Sequence, residues 1–483
     1  MRKKLLLLST YLLLLFTVQL YGQSSMLVIR NVQIVDVASG QLLPGAKDII
    51  IEEGRITQIA NYGTVRLIGG FTSFDGKGKY VIPGLWDMHT HPDDPELWRM
   101  EVDASDRDWL MPQFVVYGVT GIRDMAGSLA VVKEWKRKGA SGDLLVPEIF
   151  AAGPLLDGPN PMWDGSVGIS GPADVKTIVD SLRKAGVDFL KVYSLLPREI
   201  YFALSKYARE INFPICGHVP LKVSSSEAAK SGLNSQEHLL EILLECSDRE
   251  SDLRNNTIDF GSAKGLDRYV LKQQLMMDTY NPEKAEKLFQ TFKQHATWHT
   301  PTLNLWYKNA WFEREYEKDK ALYKYLPAYI RKYWTIGVND HLNYRDHQGF
   351  IDIKQKLYQK YLELVKAMHG AGVKLLAGTD MGANPLCFPG ISIHDELEQF
   401  VRAGLSPAEA LKTATINPAQ YLTIAKDFGS VETGKIADLV ILERNPLEDI
   451  QAVREIKAVV KDGKLYEQAK REAILTKTVK QLE

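Results

Sequence analysis

The spacing of apolar positions changes three times along this chain. Residues 5–20 are almost wholly apolar, behind the basic triplet Arg2-Lys3-Lys4 and ahead of the polar stretch Tyr21 to Ser25. A charged start, a short apolar run and a small-residue exit have the layout of a secretion leader. The run is also short for a membrane span of about 20 residues. Residues 1–22 are therefore expected to be a signal peptide cleaved near Gly22, leaving an exported, periplasmic or secreted protein. No cysteine lies near that point to carry a lipid anchor.

From Met26 the pattern shifts to short β-rich runs (Leu27–Val35, Asp48–Ile51, Arg55–Ile59) separated by Gly and Asn/Asp turns. Similar runs return at Ala437–Leu442 and Ile456–Val460, before the turn Lys461 to Lys464. The two ends, 26–79 and 430–466, are expected to form one small β-sandwich domain. Between them, over 80–429, apolar strand-like runs alternate with helical stretches, the pattern of a parallel α/β sheet. Eight such runs are found, at 80–89, 118–124, 148–153, 188–193, 213–218, 233–238, 297–303 and 373–380. Eight predicts a (β/α)8 TIM-type barrel, whose working residues sit at the C-terminal ends of the strands. A stretch at about 303–357, rich in Trp306, Trp311, Tyr316, Tyr323, Tyr329 and Trp334, reads as a helical insertion after the seventh strand. Packing of those rings onto the barrel is the plainer reading, and a lid over the pocket the alternative. The tail, 467–483, is polar and helical in pattern.

The strand ends carry the candidate chemistry. The first ends in His89 and His91, the fourth in Lys191 and Tyr193, the fifth in His218, the sixth in His238 and the eighth in Asp380. Residues i and i+2 of a strand face the same way, so His89 and His91 can share a cation. A lone strand-end histidine is more often a core residue, but four on one rim with a lysine and an aspartate indicate a metal site. Two nearby cations require an anionic bridge, which Lys191 supplies if its neutral amine takes up carbon dioxide. The competing role for Lys191 is a point charge for a substrate carboxylate. A metal-activated hydroxide would be the nucleophile, with Asp380 moving the proton. Cys216, two residues before His218, is a conceivable thiolate ligand, although small buried cysteines are common. Arg123, Tyr193 and His299 are candidate substrate contacts, with structural roles equally open for Arg123 and Tyr193. The loop 153–163 is expected to shape the entrance. His295, His341, His347 and His369 read as surface or helix residues, and His394 as structural.

Composition narrows the partners. The chain has 483 residues, 45% hydrophobic and 25% charged, with Lys+Arg 59 against Asp+Glu 60. That is an ordinary globular balance with no basic footprint for nucleic acid. Losing the leader removes three positive charges and leaves a mildly acidic mature chain. Three cysteines, Cys216, Cys246 and Cys387, do not make a disulfide framework. The expected partner is a small-molecule substrate, without nucleic acid and without membrane insertion once the leader is gone; a homo-oligomer is compatible with the chain.

The fragments Val81 to His91, Gly118 to Met125, Asp188 to Tyr193, Gly217 to Pro220, Glu237-His238, Ala377 to Asp380, His394 to Leu397, Ala414 to Ala419 and Gly429 to Leu439 occur in one order. In these the chain resembles the amidohydrolase superfamily, in the branch of imidazolonepropionase-like proteins and metal-dependent Xaa-Pro-type dipeptidases. The resemblance covers almost everything from Met26 to about Tyr466. It implies two divalent metals, zinc or else manganese or cobalt. His89, His91 and Asp380 would hold one, His218 and His238 the other, and an N6-carboxylated Lys191 would bridge them. Many relatives carry a His-Ala-His sequence at strand five, where this chain has Gly217-His218-Val219-Pro220, which loosens transfer of substrate identity. The function expected is hydrolysis of an amide bond in a dipeptide or N-acyl amino acid. Opening of a cyclic amide or lactone is the alternative, a catalytically silent metal-containing binding protein is the alternative of another class, and isomerisation or decarboxylation at the same metals is a third possibility.

Overall fold

A computed structural model of the chain describes residues 26–66, 70–94, 107–335, 338–339, 342–344, 346–382 and 384–482. The expected signal peptide and His341 lie outside the described residues. No described helix is long and apolar enough to cross a membrane.

The runs of β-branched and apolar residues in the middle of the chain form a curled parallel sheet, buried on both faces as helix-covered parallel strands are. Leu85–Thr90 pairs with Val119–Asp124, and that strand with Glu148–Ala151. A second series runs Leu190–Val192, Ile215–Gly217, Ser235–Glu237, Trp298–Thr300. A hydrogen bond from Asp188 N–H to Ala151 O, 2.8 Å, links the two series. On the other side, single parallel bridges join His299 to Leu375 and Met381 to Thr90. The run expected as an eighth strand, 373–380, is thus present as bridged chain without regular pairing. Its Gly378 lies against the first strand, where a Cβ would stand 2.7 Å from that of His89. Helices Val175–Ala185 and Arg198–Glu210 cover the outside, Val179, Tyr201 and Leu204 packing on Leu190, Val192 and Ile215.

The run 80–89, expected as one strand, is two. Tyr80–Pro83 pairs antiparallel with Leu439–Leu442 and parallel with the strand Met26–Asp36. The chain then turns at Gly84, whose N–H donates to Asp438 O at 2.8 Å, and enters the curled sheet at Leu85. Glycine is required there because a Cβ would lie 2.0 Å from Thr120 Oγ1. Apolar residues continue on both sides of the break, and the dipeptide Pro83-Gly84 is its one mark in the sequence. Both chain ends meet in a nine-stranded sheet ordered Lys464–Glu467, Ile456–Lys461, Leu439–Leu442, Tyr80–Pro83, Met26–Asp36, Lys47–Glu52, Arg55–Asn61, with Gln41–Leu42 and Phe71–Asp75 also pairing Met26–Asp36. Its core includes Ile29, Ile34, Ile49, Leu439 and Val460.

The aromatic stretch forms helices Leu303–Ala310, Phe312–Asp319 and Ala328–Tyr333 and leads into Gln348–Gly370. Trp306 packs on Tyr361, Trp311 on Tyr358 and Trp334 on Phe388, with ring centroids 4.8–5.2 Å apart. Each such pair adds about 0.5–1.5 kcal/mol beyond area burial. The tail is helical over Gln468–Leu482. All three cysteines are free and buried.

Candidate metal centre and its cavity

His89 is the last residue but one of the strand Leu85–Thr90 and His91 lies one residue beyond its end, which brings their Nε2 atoms to 3.3 Å. Asp380 Oδ1 is 3.2 Å from each of those nitrogens. The backbone explains the aim: Asp380 has φ +57° and donates its N–H to His89 O at 2.8 Å, so the carboxylate turns toward the first strand. Its other oxygen accepts from Asn384 Nδ2 at 2.8 Å. His238, Leu239 and Thr302 also carry φ between +49° and +63°. Such backbone costs about 1–3 kcal/mol per residue and gathers where function over-determines geometry.

The remaining predicted ligands arrive at the same mouth. Lys191 Nζ is 3.5 Å from His89 Nε2, and the His238 ring lies 4.4 Å from the His89 ring and 4.8 Å from that of His218. His218 Nδ1 meets Ser194 Oγ at 3.0 Å and His238 Nδ1 meets Thr302 Oγ1 at 2.9 Å, leaving both Nε2 atoms for the centre. Gly217, at φ +137°, is needed for this approach, since a Cβ would stand 2.2 Å from Val192 O and 3.0 Å from Lys191 Cδ.

Burial sets the protonation states. It pushes His218 well below the usual histidine range and His238 down to about 3, so both rings are neutral. Burial, with the charge of Lys191 beside it, also lowers His89. Lys191, 1% exposed, is lowered by burial toward the neutral amine. Burial alone would raise Asp380, but His238 and His89 hold it well below the carboxylate range. His91 is raised: burial works against its charge, and its hydrogen bond to Asp380 prevails.

Sequence reasoning quoted Glu237 only as a neighbour of His238. In the structure Glu237 Oε2 accepts from His89 Nδ1 at 2.8 Å, and both side chains are wholly buried. Arg123 Nη2 donates to both Glu237 oxygens at 3.0 and 3.1 Å. Nη2 also reaches Thr300 Oγ1, Nε and Nη1 donate to Met88 O and Ser235 Oγ, and the guanidinium lies 5.1 Å from the Tyr421 ring centroid. Of the two roles open for Arg123, substrate contact and structural salt bridge, its geometry fits the second: it is occupied beneath the candidate metal centre and 0% exposed. The signal for Glu237 was obscured because strand alternation sends neighbours to opposite faces. The left-handed backbone at His238 brings both side chains to His89.

His299, another candidate contact, is corrected. It is 0% exposed and its ring lies 4.2 Å from Phe292 on helix Pro282–Gln294, while Thr300 contacts the interior Arg123. Alternation along Trp298–Thr300 thus turns His299 toward the helix layer. Tyr193 does reach the cavity, stacking on His218 at 4.3 Å and accepting from Trp163 Nε1 at 2.9 Å. Cys216 is buried beside Met125 and Phe189, and burial pushes its thiol up to about 11, so it stays protonated. His394 is structural, bonded to Tyr117 O at 2.9 Å.

A cavity of about 230 Å³ opens over the centre, lined by His91, His218, His238 and Asp380 on one side. Trp163 comes from the rim loop, and Trp306 and Lys354 from the insertion. The insertion thus both packs the helices and supplies a wall.

Three acceptor atoms, from His89, His91 and Asp380, lie within 4.8 Å of one another. Because His89 gives its Nδ1 proton to Glu237, its Nε2 presents a lone pair toward His91 and Asp380. Two imidazole nitrogens and a carboxylate oxygen converging in this way are the donor types a divalent cation takes. The donor set fits a metal.

The amidohydrolase family model matches residues 175–466, more than half of the chain. The chain belongs to the amidohydrolase family. Ochratoxinase of Aspergillus niger is 38% identical to this amidohydrolase over 117 residues, 23% of this chain and 23% of that protein. Imidazolonepropionase of Shouchella clausii is 34% identical over 108 residues, 21% of this chain and 23% of that protein. The chain thus matches about a quarter of the length of each. A solved Xaa-Pro dipeptidase with bound methionine in its active site has a TM-score of 0.65 at 20% identity, over 92% of this chain and 100% of that one, and shares the fold. The resemblance drawn from the motifs is borne out.

Proposed function

We propose that this amidohydrolase is an exported, metal-dependent enzyme that cleaves an amide bond in a dipeptide or N-acyl amino acid. The architecture we assign it is a (β/α)8 barrel over 80–429, with a small β-sandwich from 26–79 and 430–466. The observation that carries the reading is the convergence of His89, His91 and Asp380, with Lys191, His218 and His238 around the same mouth. Two divalent metals, zinc or else manganese or cobalt, would be held by His89, His91 and Asp380 on one side and by His218 and His238 on the other. When bound, such cations polarise an amide carbonyl and lower the pKa of water toward neutrality.

The chain's own groups do the rest. Lys191 is a buried amine driven toward neutrality, the form that adds to carbon dioxide and becomes an anionic carbamate able to bridge two cations. Sealed at 1% exposure, it is badly placed as a point charge for substrate. Asp380, kept ionised by its histidine neighbours, takes the proton from the attacking water at Oδ1 and returns it to the leaving nitrogen. Glu237 fixes the His89 tautomer. Trp163 and Tyr193 wall the cavity and exclude water around the acyl group.

The test is a hydrolysis screen over N-acyl amino acids, dipeptides and lactones, with metal analysis of the same sample. Chelation should abolish turnover, and zinc, manganese or cobalt should restore it. Binding without turnover in the metal-loaded protein would establish a silent binding protein instead. Preference for lactones or cyclic amides would move the substrate assignment. Products lacking added water would indicate isomerisation or decarboxylation.

A further inference from the structure

We infer that the substrate carries an apolar chain longer than the cavity, which leaves the metal centre past Leu240 and lies along a collar of exposed apolar side chains at the mouth. This rests on the hydrolase reading and narrows it to N-acyl amino acids with a long saturated acyl group. Nine large apolar side chains are exposed among the described residues. Four of them, Met162 at 45%, Leu195 at 41%, Leu221 at 52% and Leu240 at 38%, lie in the segments that follow the strands Glu148–Ala151, Leu190–Val192, Ile215–Gly217 and Ser235–Glu237. Single exposed leucines are ordinary, but several gathered at the edge of a site mark a surface that is covered in use.

The four segments are neighbours. Their strands follow one another around the curled sheet, the first step being the bond from Asp188 N–H to Ala151 O. Leu221 donates its N–H to Ser194 O at 3.1 Å, next to Leu195. Leu195 O in turn comes so close to Gly158, in the loop of Met162, that a Cβ there would stand 2.5 Å away. Arg254 Nη1 bonds both Leu221 O, at 3.3 Å, and Glu241 Oε2, at 2.8 Å, which ties Leu221 to the segment of Leu240. Each collar residue is also next to the cavity wall in sequence: Met162 precedes Trp163, Leu195 and Leu221 come shortly after Tyr193 and His218, and Leu240 belongs to the wall itself. The collar thus continues the apolar wall of Leu155, Leu240 and Leu305 out of the cavity. Its side chains carry no amide, hydroxyl or charge. A hydrocarbon tail suits such a track, whereas a peptide backbone would need hydrogen-bond partners along it.

The test reads binding and turnover apart. Alkylphosphonates have no scissile amide, and a series from butyl to dodecyl varies the tail alone. Calorimetry on the metal-loaded protein should show affinity rising with length as far as dodecyl, by up to about fourfold per CH2, the value for full burial. A triple variant, Met162→Ser with Leu195→Ser and Leu221→Ser, changes only exposed side chains. It should bind the short chains as before, and its rise should stop early, leaving dodecylphosphonate roughly 10-fold weaker than in the parent. Dodecylphosphonate binding the unmutated protein no tighter than butylphosphonate, or the same rise in the variant, would overturn the collar. An unchanged series together with loss of a parent dimer in the variant, read by sedimentation, would give these side chains to a second copy of the chain instead; together with loss of binding to phosphatidylglycerol vesicles, it would give them to a lipid surface. Hydrolysis of N-acyl amino acids of the same lengths is followed separately: a protein that shows the stated series without turnover keeps the collar and loses the hydrolase.

Discussion

The molecule buries charge in two places, and they behave differently. Beneath the mouth of the curled sheet, Arg123 and Glu237 form a wholly buried pair whose free edge faces His89. At the root of the insertion, buried Lys308 bonds Asp319 and lies 3.5 Å from Glu315 and 3.4 Å from Asp395, which also takes Arg454 at 2.6 Å. Nearby, Glu396 accepts the N–H groups of Leu303 and Asn304 at 3.0 and 2.6 Å, capping the insertion's first helix from helix Ile391–Arg402. The second cluster joins elements far apart in sequence and touches no candidate ligand. The first ties Val119–Asp124 to Ser235–Glu237, each already held in its own ladder, and reaches His89. Desolvating ions is costly, so burying charge where packing would suffice marks a group that orients something. In the first cluster that something is the His89 ring.

Substitutions test the contrast. The largest effect should come at the centre itself: Asp380→Asn should retain most of the metal and lower turnover by about 10²–10⁴-fold, the range for lost acid/base catalysis plus weakened ligation. Near-normal rates would sink the assigned mechanism. Lys308→Met leaves three carboxylates short of a cation and should cost about 3–5 kcal/mol in stability, read by urea unfolding. Metal content at 25 °C should not change; a loss of metal would mean that the insertion shapes the centre as well as walling it. Glu237→Gln cannot hold the same charge against His89 and Arg123, and metal affinity should fall about 10–100-fold by competition with a chelator. Unchanged affinity would reduce the first cluster to a structural role like the second.

The smallest effect is in pH. Burial would raise the Glu237 carboxyl, but Arg123 and His89 hold it well below the ordinary range. A depressed carboxylate contributes stability that is present above its unfolded pKa of about 4.3 and lost as pH falls through the folded value. The stability gap between the metal-free parent and Glu237→Gln should therefore be full at pH 7 and narrow below about pH 4. A gap that widens on acidification would contradict the sign.

Much of the centre was legible because strand ends with polar residues after apolar runs mark one rim. His89, His91, Lys191, His218, His238 and Asp380 were found this way, and the structure brings them together. For Arg123 the sequence left substrate contact and a structural salt bridge equally open, and Glu237 claims it for the second; His299 suggested a substrate contact by its type, whereas the pleat sends it outward. Glu237 went unassigned because its partner lies 148 positions away.

Hydrophobic spacing, turn residues and motif order, all local properties, determined without help that this chain alternates strands and helices and collects imidazoles at strand ends. Three-dimensional packing alone decided that Gly84 divides the first run between two sheets, that Glu237 and Arg123 brace His89, and that Lys354 reaches the cavity wall. Contacts across more than a hundred residues depend on how the sheet curls and how the backbone turns at Asp380 and His238, and no short window of residue types contains that information.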